Sequence, residues 1–156
     1  MRCLLLALAL LFSACGVKNY EFSEPKIIIV KSPKLKFADL GYVRHTDDAI
    51  ELELFVAGKM VKKITINHLI CVDEGCMGKT AFNAEYLNAS YPESLLQNVI
   101  LGRKIYDGEN TLKTGSGFSQ SVRTRDAEIE YAVSANAISF KDRKNKIIIQ
   151  IKDTNQ

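Results

Sequence analysis

The chain has 156 residues, of which 47% are hydrophobic, 21 are Lys or Arg and 18 are Asp or Glu. That length and apolar content suit one domain with an ordinary core. A formal net charge of +3 gives no electrostatic reason to expect nucleic acid, and leaves room only for a weak affinity for anionic lipid or polysaccharide.

The first fifteen residues read as an export signal that ends at a cysteine. Arg2 supplies a short positive region, and Leu4 to Phe12 is an uninterrupted apolar run of nine residues. That is the length of a signal-peptide core and is too short to span a bilayer, which needs about 20 apolar residues. Ser13 and Ala14 follow, then Cys15. The segment Phe12-Ser13-Ala14-Cys15 resembles the lipobox of bacterial lipoproteins, whose usual form is Leu, then Ala or Ser, then Gly or Ala, then Cys. Ser13, Ala14 and Cys15 match that pattern, and Phe12 departs from the usual Leu. The resemblance implies that the Cys15 thiol receives a diacylglycerol, that the chain is cut before Cys15, and that the new amino group is acylated by a fatty acid such as palmitate. Each buried acyl CH₂ contributes about 0.8 kcal/mol, so three chains on one residue amount to a permanent anchor. The residue after the cysteine is Gly16. An Asp there marks inner-membrane lipoproteins in some Gram-negative bacteria, and Gly16 resembles the outer-membrane class instead. The expected organisation is a signal peptide over 1–14, a lipidated N-terminus and tether over 15–25, and a single domain over 26–156. The mature chain would keep 20 basic and 18 acidic side chains.

After the tether, Ile27 to Val30 is a short apolar run closed by Ser32-Pro33. Ile50, Leu52, Leu54 and Val56 alternate with Glu51, Glu53 and Phe55, the period-two pattern of a half-buried strand. Gly58-Lys59 turns the chain, and Met60 to Asn67 reads as the hairpin partner.

Two cysteines follow, Cys71 and Cys76, enclosing Val72-Asp73-Glu74-Gly75. Cys3 leaves with the signal and Cys15 carries lipid, so this pair is even in an exported protein, where disulfides form and persist. A structural disulfide is the leading reading, contributing about 2 kcal/mol for so small a loop. The alternatives are free thiols, or a metal held by His68, Cys71 and Cys76 with Asp73 or Glu74. The spacing is not that of a Cys-x-x-Cys zinc site.

A helical interlude comes next. Thr80 is placed to cap a short helix bearing Phe82 and Tyr86, and Ser90-Tyr91-Pro92-Glu93 has the form of a second helix start. Leu95, Leu96, Val99 and Ile100 form an apolar stripe, and Gly102 is placed to end it. Residues 107–117, rich in Gly, read as a loop. Beta signals then return: Phe118 to Val122, then Ile129, Tyr131 and Val133 alternating with Glu128 and Glu130. Ser134-Ala135-Asn136 turns into Ala137 to Phe140, and Asp142 to Asn145 turns into Ile147 to Ile151. Short strands at this spacing point to a mainly β (α+β) fold. The expected form is an antiparallel β-sandwich or curved sheet, an immunoglobulin-like variant included, with two short helices near 80–101 inserted between two β halves.

The search for chemistry finds no catalytic constellation. His45 and His68 are the two histidines, read as an exposed turn residue and a strand-end residue. No Gly-x-Ser-x-Gly elbow, His-Glu-x-x-His helix or phosphate-binding loop occurs, and Gly115-Ser116-Gly117 reads as a turn. Asp47-Asp48 and Asp107 to Asn110 lack the ligand spacing of a calcium loop. Glu51 and Glu53 share a face, which an outward polar surface explains. Asn88-Ala89-Ser90 matches a glycosylation site of little meaning in a bacterial protein. Tyr86, Tyr91, Tyr106 and Phe118 cluster around the helical interlude, either as an aromatic rim for a partner or, the favoured reading, as packing that fastens the helices to the sheet. The expectation is a non-enzymatic, cofactor-free envelope lipoprotein, held to the outer membrane through its lipid, that binds an envelope protein or surface polymer. In size and style the chain is similar to small lipoproteins of epsilon-class Gram-negative bacteria. The alternatives are an anchored redox or metal-dependent protein using the Cys71/Cys76 loop, and a small-ligand carrier.

Overall fold

The computed structural model describes residues 22–46, 49–73 and 75–155. The leader, Cys15, Asp47, Asp48 and Glu74 lie outside these residues. The described chain forms β1 (Phe22–Lys31), β2 (Lys36–His45), β3 (Ile50–Val56), β4 (Lys59–Ile66), β5 (Ile70–Val72) and β6 (Gly75–Met77). Two helices follow, α1 (Lys79–Tyr86) and α2 (Leu95–Ile100). Then come β7 (Thr111–Thr114), β8 (Gly117–Arg123), β9 (Glu128–Val133), β10 (Ala137–Asp142) and β11 (Ile147–Asp153). The strands make one antiparallel sheet in the order β6-β5-β4-β3-β2-β1-β11-β10-β9-β8-β7. The fold is therefore mainly β, with two short helices between two β halves.

The first strand pairs with the last, from Lys26↔Asp153 to Lys31↔Ile148, so these two strands meet in the middle of the sheet. Pairing of β1 with β2 already includes Ser23↔Arg44 and Pro25↔Tyr42. Pro25 stands one residue before pairing with β11 begins, a place where a strand tolerates proline.

Alternation decides what is inside. Ile50, Leu52 and Leu54 of β3 are buried on one face, with Ile28, Val30, Ile64, Ile66, Ile129, Tyr131, Phe140, Ile149 and Ile151. Phe82, Leu95, Leu96, Val99 and Ile100 of the helices join the same core. The sheet curves around them. Ile64 of β4 and Ile149 of β11 are four strand positions apart, about 19 Å on a flat sheet, yet both line one apolar cavity of only about 20 Å³ with Phe82, Leu96 and Ile100.

The connection between the far edges departs from its expected caps. Thr80 lies inside α1, which begins after Gly78 with no side-chain cap, and its hydroxyl donates to Glu93 Oε1 at 2.5 Å. The second helix starts at Leu95, not near Ser90. The Ser90 N–H and hydroxyl both donate to Asn88 Oδ1, at 2.8 and 2.6 Å, and buried Asn83 Nδ2 holds the Tyr91 and Pro92 carbonyls at 3.2 and 3.0 Å. These bonds commit residues 88–92 to turns. Gly102 does end α2. With φ +63 it lets Arg103 N reach Asn98 O at 2.8 Å and its own N reach Val99 O at 3.2 Å, the paired bonds of a Schellman stop. The expected loop over 107–117 contains β7, an edge strand whose Leu112 is 69% exposed. With one neighbour and no buried row, β7 shows no alternation to read.

Gly115 and Gly117 flank the β7–β8 turn under different constraints. A Cβ at Gly115 would meet nothing within 4 Å, whereas one at Gly117 would sit 2.0 Å from the Val133 carbonyl oxygen. Gly117→Ala is expected to cost about 1–3 kcal/mol of unfolding free energy by forcing β8 from β9, and Gly115→Ala less than about 0.5 kcal/mol. Urea denaturation of the two variants checks this; equal effects would contradict the close approach.

Candidate functional site

The disulfide forms where β5 and β6 meet. Cys71 and Cys76 are register partners, with an S–S distance of 2.04 Å and a Cα–Cα separation of 3.9 Å. The enclosed loop is held to β4 through Asp73. Its backbone N–H donates to Lys63 O at 2.8 Å, and its carboxylate accepts from Lys62 Nζ at 2.8 Å and Lys63 N at 3.1 Å. The Lys62 bond, then the backbone bond, hold the Asp73 carboxyl below the usual range. With both sulfurs bonded to each other, the loop offers no thiolates to a metal. Among the described residues no group of three His, Cys, Asp or Glu side chains is placed to hold one.

Glu51 and Glu53 do share the outer face, but they are buried there, 1% and 8% exposed. Lys63 Nζ lies 2.9 Å from Glu51 Oε2, and Arg44 Nη1 lies 2.9 Å from Glu53 Oε2. The Arg44 guanidinium also stands 5.2 Å from the Tyr42 ring centroid. Each carboxylate thus meets a cation on a neighbouring strand, a cross-strand charge ladder and a sufficient reason for both acids. His45, read as an exposed turn residue, is half-buried. With Thr46, Gln97 and Arg103 it lines an open cleft of about 270 Å³ between the β2–β3 connection and the end of α2. His68 is exposed in the β4–β5 turn.

The four aromatic residues occupy packing positions. Tyr91 is 4% exposed, edge-on to Phe140 at 6.0 Å. Tyr86 stacks on Phe82 at 4.8 Å, Phe118 meets Tyr131 edge-on at 5.8 Å, and Tyr106 packs half-buried against the core. Tyr86 and Phe118 keep part of their surface open. Residues 107–110 serve as a turn, in which the Gly108 carbonyl accepts from Thr111 Oγ1 at 2.6 Å and Asn110 Nδ2 donates to Ser121 O at 3.3 Å.

The polar centre of the molecule is Asp142, a residue whose place in a turn-like Asp-Arg-Lys-Asn stretch gave no sign of burial. It is 1% exposed and accepts from Tyr91 OH at 2.5 Å and Asn145 Nδ2 at 2.6 Å. The backbone N–H groups of Glu128, Lys144 and Asn145 donate to it at 3.2, 3.0 and 3.2 Å. Burial opposes its charge, but these donors outweigh burial and hold the carboxyl below the usual range. Tyr91 moves the other way: burial first, then the bond to Asp142, push its phenol far up. Burial and the same carboxylate raise Tyr106. The apolar interior, at about 20 Å³, has room for about one water.

A carboxylate whose native pKa is depressed contributes stability that is present above its unfolded value and lost as pH falls through its native one. For Asp142 that window lies below about pH 4. Asp142→Asn is expected to lower unfolding free energy by about 2–3 kcal/mol at pH 7 and to flatten the acid limb below pH 4. Urea unfolding across pH measures both, and an unchanged acid limb would contradict the assignment.

Compared with protein-family models, with curated proteins and with solved structures, the chain gives no significant match.

Proposed function

We propose that the protein is a membrane-anchored envelope lipoprotein with a non-catalytic binding or structural role. Its acyl groups on Cys15 would hold it in the outer membrane, and its β domain would meet an envelope protein or surface polymer. The observation that supports this most is the cysteine accounting. Cys71 and Cys76 are joined to each other, as suits an oxidising compartment. That leaves Cys15, at the end of the leader, as the cysteine free for modification once Cys3 departs. The filled core speaks against a small-ligand carrier, and the neutralised Glu51 and Glu53 speak against a carboxylate acid–base pair.

A redox role for the Cys71–Cys76 loop draws support from one feature: Cys76 is exposed on an edge strand, within reach of an attacking thiolate. Trapping of free thiols in cells separates the two readings. A disulfide that stays oxidised fits the structural role, and one that cycles between states fits the redox role.

The anchor is tested by feeding cells a clickable palmitate analogue and fractionating membranes. The parent chain is expected to take up label and to sediment with outer membrane. Cys15→Ser is expected to lose the label entirely and to leave that fraction. Label retained by Cys15→Ser would sink the lipoprotein reading.

A further inference from the structure

Because neighbouring strands alternate in direction, every hairpin turn falls at one of two ends of the sheet. At the end where β1 finishes fall the β3–β4 and β5–β6 turns and, level with one another, the turns 32–35, 143–146 and 124–127. The register sets this level through Lys31↔Ile148, Asp142↔Ile147 and Val122↔Ile129. The last two turns also touch, with Asn145 Nδ2 donating to Asp126 O at 2.8 Å and the Lys144 ammonium bonding the Arg125 carbonyl. In and beside these turns stand Lys31, Lys34, Lys36, Arg123, Arg125, Lys141, Arg143, Lys144 and Lys146. The connections at the opposite end, 46–49, 67–69, 115–116 and 134–136, contain no Lys or Arg. A nearly neutral chain is thus electrically polar along its strands.

The arginines at this end are engaged: Arg143 with Glu130 at 2.7 Å, Arg123 with Glu128 at 3.0 Å, Arg125 with Asp126 at 3.4 Å. Lys34 pairs with Glu85 at 2.7 Å. The remaining lysines behave differently. Lys36 is the register partner of Lys31, and Ile148 lies between Lys31 and Lys141 in the same cross-strand row. All three lysines are exposed, on the face away from the core. Like charges directly opposite on paired strands are destabilising. Lys141 faces Glu130 of β9, but among the described residues no carboxylate pairs with Lys31, Lys36 or Lys146, so the repulsion between Lys31 and Lys36 is relieved by no ion pair there.

We propose that this basic end is a docking surface for a hydrophilic anionic polysaccharide bearing carboxylate or phosphate groups. Lysine ammoniums are compact point charges that bind anions without demanding one geometry, as a flexible polymer requires. Lys36 and Lys31 are one strand step apart, about 5 Å, and Lys141 is two steps from Lys31, about 10 Å, across Ile148, a spread that matches a chain of charges better than one small ion. Of the large exposed apolar residues, Ile27, Leu40 and Leu112 lie in mid-strand, while Val56, Met60 and Val61 flank the β3–β4 turn at this same end but outside the three turns. The three turns themselves hold no large exposed apolar residue to insert into a bilayer. Of the aromatic side chains beside them, Tyr86, its ring centroid 5.8 Å from Lys34 Nζ, is stacked on Phe82, and Phe37 packs against the core, so neither presents a free face for bases. Only the orientation rests on the proposed lipid anchor. The chain enters β1 at the opposite end, so an anchored protein would present its basic end about 30 Å farther out, the length of β1.

The test uses the full chain in neutral detergent with polygalacturonate, phosphorylated dextran and uncharged dextran as probes. Binding is expected to one or both charged polymers, which tells carboxylate from phosphate, to weaken steeply with salt, and to be undetectable for uncharged dextran. Lys36→Glu sets a carboxylate opposite Lys31. It is expected to raise the unfolding midpoint by about 1–4 °C while weakening polymer binding about fivefold or more. A gain in stability with a loss of binding cannot come from a damaged fold. Lys104→Glu, which changes net charge equally but lies away from the three turns, is expected to bind as the parent does. Equal losses in the two variants, unchanged binding in Lys36→Glu, or tighter binding of single-stranded DNA or anionic vesicles at the same salt would each overturn the proposal. Cys15→Ser is expected to bind polymer normally, so a failed lipid anchor and a failed docking surface give different results.

Discussion

The ladder between β1 and β11 joins two hairpin arrays that the helical connection links in sequence. From β1 the chain builds outward through β2 to β6. From β11 the sheet extends the other way to β7. The central pairing runs from Lys26↔Asp153 to Lys31↔Ile148, and it brings Ile28 and Val30 beside Ile149 and Ile151 under the helices. Without it each half would expose an apolar face. Its partners lie more than 110 residues apart in sequence, so a large loop must close before these contacts form. The local hairpins need no such closure and can form first.

That division explains what was legible. Hairpins such as β3–β4 and β10–β11 announce themselves because alternation and turn residues lie side by side, and a local pattern suffices. The cysteine pair was legible by parity. The order of the two halves was not, because no short-range signal says that Ile28 faces Ile151. The buried state of Asp142 was hidden for a related reason. Its principal donor, Tyr91, belongs to the helical connection, and an Asp before Arg-Lys-Asn looks like any solvated turn. The helix starts misled because a capping residue is a local preference that competing bonds override. Here Asn88 and Asn83 supply those bonds. The gathering of these lysines was invisible because Lys31 and Lys141 are distant in sequence and come within two strand steps of each other only through register.

Polar groups, more than apolar area, fix where the helical connection sits. α2 has six residues, too few to hold its position by propensity. Three side chains reach across from the strands or within the link itself. Asp142 takes the Tyr91 hydroxyl, Gln120 of β8 both donates to and accepts from the Ile105 backbone at 3.0 and 2.9 Å, and Tyr131 OH donates to Arg103 O at 2.9 Å. An apolar stripe on so short a helix can slide by a turn at little cost, whereas these bonds are satisfied in one placement only. A buried polar atom left without its partner costs about 1–3 kcal/mol. Tyr91 and Tyr131 at this junction therefore have a structural role in these bonds, whereas the buried Tyr106 hydroxyl has no hydrogen-bond partner among the described residues.

The same topology governs how a tether would act on the domain. A segment joined to β1 pulls on the strand that holds both halves together, along the axis of that strand. Such a pull loads the β1–β2 and β1–β11 ladders in shear, so that their hydrogen bonds resist together. A tether on an edge strand such as β6 or β7 would instead peel pairs one at a time. Resistance to forced unfolding is a matter of the unfolding barrier, not of equilibrium stability. A chain held at its N-terminus at one end and engaged through Lys31, Lys36 and Lys141 at the other would carry the load between the two ends largely through β1 and its neighbours. The turns that bear the lysines belong to β1, β2, β10 and β11, the central strands, and not to the edges. A partner bound there would draw on the part of the sheet that is paired on both sides.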